Sequence, residues 1–197
     1  MIAIVNYGVG NLKSISKALE YVGASVRVTS DPEIIKNASA IVFPGVGAFK
    51  SAIDRLVGMK NIIDSLDVPI LGICLGMQLF ATESTEGGLF KGLDYIPGRV
   101  VRFPQEVGKV PHMGWNSLKI TRPSEILDGI EDGEFVYFVH SYYMQTDESF
   151  VITKTDYGLE FASGVEKDNC IGFQFHPEKS GKVGLKLLEN FVRMSKR

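Results

Sequence analysis

The sequence of 197 residues is poor in the side chains that make cross-links and metal sites. It has two cysteines, three histidines and one tryptophan. Cys74 and Cys170 can close at most one disulfide, and a reducing cytosol would leave both as thiols. His112, His140 and His176 are far apart and no CxxC or HxxxH spacing exists, so no metal is expected. No apolar run is long enough to span a bilayer. Met1-Ile2-Ala3-Ile4-Val5-Asn6 begins directly as a strand, without the basic and apolar regions of a signal peptide, so a cytoplasmic product without membrane contact is expected. Lys and Arg number 21 against 23 Asp and Glu, with no basic block, which speaks against a nucleic-acid partner. No linker-like stretch and no internal repeat interrupts the chain, so residues 1–197 are expected to form a single domain. Gly8-Val9-Gly10 starts like a dinucleotide fingerprint, but Lys13 stands where the third Gly belongs. It reads as a tight turn, and no cofactor is expected.

What is present is the composition of a soluble globular protein, 45% hydrophobic and 22% charged. The first half alternates strand and helix signals. Strands are expected over 2–6, 25–29, 40–43 and up to Cys74. Between them lie a helix from Asn11 stopped by Gly23, a short one capped by Asp31-Pro32, and one through 52–56. Between 95 and 175 the segments 96–103, 115–121, 134–145, 149–155, 160–166 and 170–175 read as β, with only 124–130 helical. An amphipathic helix carrying Val183, Leu187, Leu188, Phe191 and Val192 closes the chain. The expected fold class is α/β: an open, mostly parallel sheet flanked by helices, with an additional mixed or antiparallel β section.

Ligands of such sheets bind beyond the carboxyl ends of the strands. There the run Val68-Pro69-Ile70-Leu71-Gly72-Ile73-Cys74-Leu75-Gly76-Met77-Gln78 has the form of a nucleophile elbow, a strand turning sharply into a helix with Gly on both sides of the reactive position. Taken alone, the pattern fits a nucleophile or a packed thiol. A nucleophilic Cys needs a base and an orienting group. Phe173-Gln174-Phe175-His176-Pro177-Glu178 offers both, since a spacing of two lets His176 and Glu178 point to the same side of an extended segment. Pro44-Gly45-Val46-Gly47 could present backbone N–H groups to an oxyanion, with the Leu75 amide as the second donor. Pro111-His112-Met113-Gly114-Trp115-Asn116 reads as a rigid, partly apolar loop of the kind found in interfaces, or as a core position for Trp115.

The G-x-C-x-G-x-Q elbow, the upstream P-G-x-G loop and the late H-P-E together resemble the class-I (triad) glutamine amidotransferases over essentially the whole chain. The resemblance implies Cys74 as nucleophile, His176 as general base and acid, and Glu178 as orienting carboxylate. It also implies that Gln78, His140, Ser141 and Tyr142 help hold L-glutamine. Residues 111–116, with Pro-Gly-Val-Gly and Phe-His-Pro-Glu-Lys-Ser, look like the glutaminase subunits of imidazole glycerol phosphate synthases. Those subunits pass ammonia to a separate (β/α)₈-barrel cyclase in histidine biosynthesis. This resemblance implies a heterodimer, with residues 111–116, Tyr137 and Lys179 near the interface. The competing readings are an amidotransferase of another pathway, a γ-glutamyl hydrolase, and a binding subunit without catalysis.

Overall fold

Strands β1 (Ile2–Val5), β3 (Ala40–Phe43) and β4 (Ile70–Ile73) are short apolar runs buried at every position. That is the pattern of parallel strands covered on both faces. In the computed structural model, which describes residues 1–196, they form the middle of an eight-stranded sheet. Its order is β2-β1-β3-β4-β14-β13-β12-β9. The other members are β2 (Val26–Thr29), β9 (Lys119–Ile120), β12 (Val151–Asp156), β13 (Glu160–Lys167) and β14 (Cys170–Phe173). The five strands from β2 to β14 run parallel, and the last three join antiparallel.

Side-chain alternation splits the core into two layers. Ala3, Val5, Ile41, Phe43 and Ile70 pack under α2 (Pro32–Lys36), α3 (Phe49–Leu56), α4 (Lys60–Asp64) and α5 (Leu75–Leu79). Ile2, Ile4, Ala40, Val42, Leu71 and Ile73 face α1 (Leu12–Tyr21) and α6 (Gly181–Met194). Two small sheets complete the fold. One pairs β8 (His112–Ser117) with β10 (Phe135–His140). The other has the order β11-β7-β5-β6, built from β5 (Glu83–Ser84), β6 (Phe90–Lys91), β7 (Gly98–Arg102) and β11 (Tyr142–Thr146).

The parallel alternation matches its sequence reading, down to Asp31, whose side chain accepts from Glu33 N at 2.9 Å as an N-cap. Four expectations change. The β segment expected over 115–121 is divided between β9 and a strand ending at Ser117, in different sheets. The single β run expected over 134–145 is two strands in two different sheets, because the chain changes partner at Ser141, whose carbonyl accepts from Phe103 N at 3.0 Å. The helix expected over 124–130 shrinks to a turn, Glu125–Leu127. Asn190 Nδ2 takes up the carbonyls of Ile126 within it and Asp128 just after it, in place of a continuing helix. The loop expected over 111–116 is a strand from His112 onward.

Candidate active site

The carboxyl ends of four neighbouring strands, β1, β3, β4 and β14, deliver the Tyr7–Asn11 loop, the Pro44–Gly47 loop, Cys74 and the segment to Glu178 to one edge of the sheet. Cys74 has φ 53° and ψ −105°, a region that costs a non-Gly residue about 1–3 kcal/mol. Its own backbone holds it there: Cys74 N donates to Phe173 O at 2.7 Å, and Gln78 N to Cys74 O at 3.1 Å. The turn is tight enough that a Cβ on Gly76 would sit 1.9 Å from the Phe43 carbonyl oxygen.

Beyond β14, His176 N donates to Tyr137 O at 2.9 Å, and Pro177–Lys179 forms a turn that brings Glu178 back toward the ring. His176 Nδ1 meets Glu178 Oε1 at 2.7 Å, and both side chains are fully buried. The same carboxylate oxygen accepts from Asn11 Nδ2. The other ring nitrogen, Nε2, is buried and makes no hydrogen bond among the described residues, while the Cys74 sulfur lies close enough to act on the ring. An imidazole nitrogen in this posture could accept the thiol proton, since catalytic hydrogen bonds often tighten only in the reacting complex. In front of Cys74 opens a cavity of about 310 Å³, lined by Val46, Gly47, Leu75, Gln78, Glu86, Pro111, Val139 and the segment His140-Ser141-Tyr142.

The family model for class-I glutamine amidotransferases matches residues 3–194. The chain belongs to this family. A relative from Archaeoglobus fulgidus named imidazole glycerol phosphate synthase subunit HisH is 80% identical over the full length of both chains. One of the same name from Methanothermobacter thermautotrophicus is 52% identical over 98% of each. A solved glutamine amidotransferase superposes with a TM-score of 0.78 over the whole of both chains at 16% identity, a likeness of fold.

The electrostatics of this amidotransferase separate its histidines. Burial opposes charge on His176, but the neighbouring Cys74 sulfur and the bonded Glu178 carboxylate outweigh it and raise the ring to about 9. Burial pushes His140 down to about 3, against the help of the Tyr142 carbonyl, and His112 down to about 4. Their tautomers follow from the contacts. The Tyr142 carbonyl only accepts, so His140 Nδ1, 2.8 Å away, carries the proton. His140 Nε2 is then the acceptor from His112 Nδ1 at 3.0 Å, and His112 Nε2 accepts from Asn116 Nδ2 at 3.3 Å. His140 therefore frames the cavity with both ring nitrogens committed to the protein. Gln78 is similarly engaged: its Nε2 donates to Tyr142 O at 3.0 Å.

The Pro44–Gly47 loop differs from its expected posture. Gly45, at φ 151°, turns its carbonyl onto Leu75 N at 3.3 Å, so the N–H next to Cys74 is occupied. The Val46 carbonyl accepts from Gly10 N at 3.2 Å, and the buried Tyr7 hydroxyl donates to Pro44 O.

The interface expected at 111–116 divides by strand alternation. Met113 and Trp115 are 61% and 55% exposed. Tyr137 packs edge-on to Trp115 at 6.0 Å, and Lys179 Nζ lies 5.9 Å from the Tyr137 ring. His112 does not belong to that face. It is buried, stacked between Phe138 at 4.7 Å and Tyr157 at 4.0 Å. Asn116 also turns inward, to His112 and Asp156 O, and Pro111 lines the Cys74 cavity.

Sequence reasoning passed over three residues that the fold brings to the site. Asn11 was read only as a helix start. Gln174 sits between motif residues, and its Nε2 reaches Cys74 Sγ at 3.6 Å. Glu86 lines the cavity and accepts from the Phe49 backbone, and burial raises its carboxyl above the usual range. No local pattern marks Glu86, because the β5–β6 excursion that carries it was not foreseen. Cys170 lies at the start of β14, at the opposite edge of the sheet, its thiol pushed up to about 12 mainly by burial.

Proposed function

We propose that this chain is the glutaminase subunit of an imidazole glycerol phosphate synthase. It hydrolyses L-glutamine to glutamate and ammonia and passes the ammonia to a (β/α)₈-barrel cyclase on a separate chain, in histidine biosynthesis. The observation that carries the reading is the fully buried His176–Glu178 pair beside the strained Cys74 elbow, in a chain 80% identical throughout to a relative of that name. We read residues 1–197 as one catalytic unit working in the cytoplasm, where free thiols such as both of these persist.

In this reading the glutamine side-chain amide lies against Cys74. The thiol proton passes to His176 Nε2, the sulfur pair forms a bond to the amide carbon, and the carbonyl pair moves onto oxygen. His176, held charged between Cys74 and Glu178, returns the proton to the departing ammonia. It then activates water to cleave the glutamyl thioester. Glu178 and Asn11 hold the ring in the working orientation. The Glu86 carboxylate is placed to take the α-ammonium group. Gln78 Oε1, which has no hydrogen bond among the described residues, is a second acceptor for it.

The oxyanion needs donors where the structure has the Gly45 carbonyl. Rotation of the Gly45–Val46 peptide would release Leu75 N–H and turn Val46 N–H into the site. Glycines on both sides of Val46 permit it. One missing oxyanion donor costs about 10²–10³ in rate. Two donors are missing here, so glutaminase activity of the isolated chain should lie below that of the complex with cyclase and nucleotide by at least that factor. Equal rates would exclude the switch. The face of Met113, Trp115, Tyr137 and Lys179 is the docking surface. Phe135, 57% exposed on the paired strand, extends it.

A further inference from the structure

Gln174 is fully buried, and its amide has two ends of opposite chemistry. The hydrogen-bond network decides which end faces the sulfur. The Tyr142 carbonyl can only accept, so the Gln78 atom that meets it at 3.0 Å is Nε2. The same Nε2 meets Gln174 at 3.1 Å, so the Gln174 atom there is the oxygen. Gln174 Nε2 is thereby directed at Cys74 Sγ, 3.6 Å away. The reverse orientation would oppose two N–H groups at Gln78 and set a carbonyl oxygen against the sulfur.

We infer that Gln174 is a catalytic residue, whose side-chain N–H donates to the Cys74 sulfur and stabilises the negative charge that develops there as the thiol proton leaves. The inference rests on reading Cys74 as the nucleophile. In the resting state the Cys74 thiol is oriented to donate to Val139 O, 3.9 Å away. Once the proton has moved to His176 Nε2, that oxygen opposes the charge on sulfur. Cys74 is only 6% exposed, so little water can answer it. The Gln174 N–H then supplies a charge-assisted hydrogen bond, about twice as strong as its contact with a neutral thiol. An interaction stronger in the ionised state than in the resting one lowers the barrier to attack. A neutral amide has a further advantage over a lysine or a second histidine: it cannot return a proton to the sulfur.

The test uses the full chain, with turnover measured in the complex with its cyclase. First, a diazoketone analogue of glutamine must label Cys74 in the unaltered chain; failure would remove the nucleophile reading itself. Given labelling, Gln174→Met keeps the volume and deletes the donor, and Gln174→Glu puts an oxygen in its place. Alkylation of Cys74 by iodoacetamide at neutral pH should slow about tenfold in Gln174→Met and further in Gln174→Glu. The pH–rate profile should move to higher pH and meet that of the unaltered chain at high pH. kcat should fall by a similar factor with KM nearly constant. Superimposable alkylation profiles and unchanged kcat would overturn the inference. If neither variant folds, the unaltered chain decides. The assigned Gln174 side-chain N–H resonances should shift when Cys74 is alkylated, and their indifference would overturn the proposal.

Discussion

Cys74 and Cys170 are the same side chain at the same 6% exposure, yet their surroundings differ in kind. Cys74 has His176 and Gln174 beside it, whereas burial, with the Asp168 and Asp64 carboxylates nearby, holds Cys170 neutral. A glutamine-analogue electrophile should therefore label Cys74 and spare Cys170 by peptide mass analysis. Cys74→Ala should abolish glutamine-dependent turnover while ammonia-dependent synthesis in the complex continues. Loss of both would give Cys74 a structural role. The histidines also predict a pH dependence of stability. Below the ordinary value of 6.5 the unfolded chain protonates His112 and His140, whereas the folded chain takes up those protons only near about 4 at His112 and about 3 at His140. The unfolded state binds more protons there, so stability falls as pH drops below 6.5. Urea midpoints at neutral and at mildly acidic pH check it, and an unchanged midpoint would exclude it.

At the scale of elements, the elbow is the most constrained feature. Gly76→Ala would press a methyl into the Phe43 carbonyl at 1.9 Å, so β3 and the elbow must separate. Overpacking of this kind costs about 1–3 kcal/mol. A lower urea midpoint together with reduced Cys74 labelling is expected; an unchanged midpoint would mean the turn is looser than drawn. Elements whose signals lie within one segment were legible in the sequence: the apolar runs of β1, β3 and β4, the Asp31 cap, and the 3.6-residue stripe of α6. Where partners are exchanged, legibility ended. A two-residue alternation continues unbroken through 134–145, and nothing local tells that β10 bonds to β8 while β11 bonds to β7. The same break at Ser141 places the Tyr142 carbonyl where Gln78 and His140 both donate to it.

At the scale of the whole molecule, the proposed docking face and the proposed catalytic edge share backbone. Tyr137 packs against Trp115 with its ring and holds His176 N with its carbonyl. Trp115 is more than half exposed, so Trp115→Ala should change the stability of the isolated chain by about 0.5 kcal/mol or less. The same change should weaken cyclase binding about tenfold or more, as loss of an aromatic anchor does. Calorimetry of both quantities checks this. A large drop in Tm with unaltered affinity would place Trp115 in the core and remove it from the interface. Residues 111–116 show the limit of reading a motif as a unit. Six adjacent letters serve three places, because strand alternation sends Met113 and Trp115 outward and His112 inward, while Pro111 faces the cavity.

The order of motifs, the α/β alternation and the pairing of His176 with Glu178 were determined by the sequence alone, because each depends on residue type and short spacing. Only the tertiary structure decided which thiol has a base, which carbonyl occupies the oxyanion site, and that Asn11, Glu86 and Gln174 converge on it. Those contacts join chain positions far apart in sequence, and chain packing rather than local spacing brings such positions together.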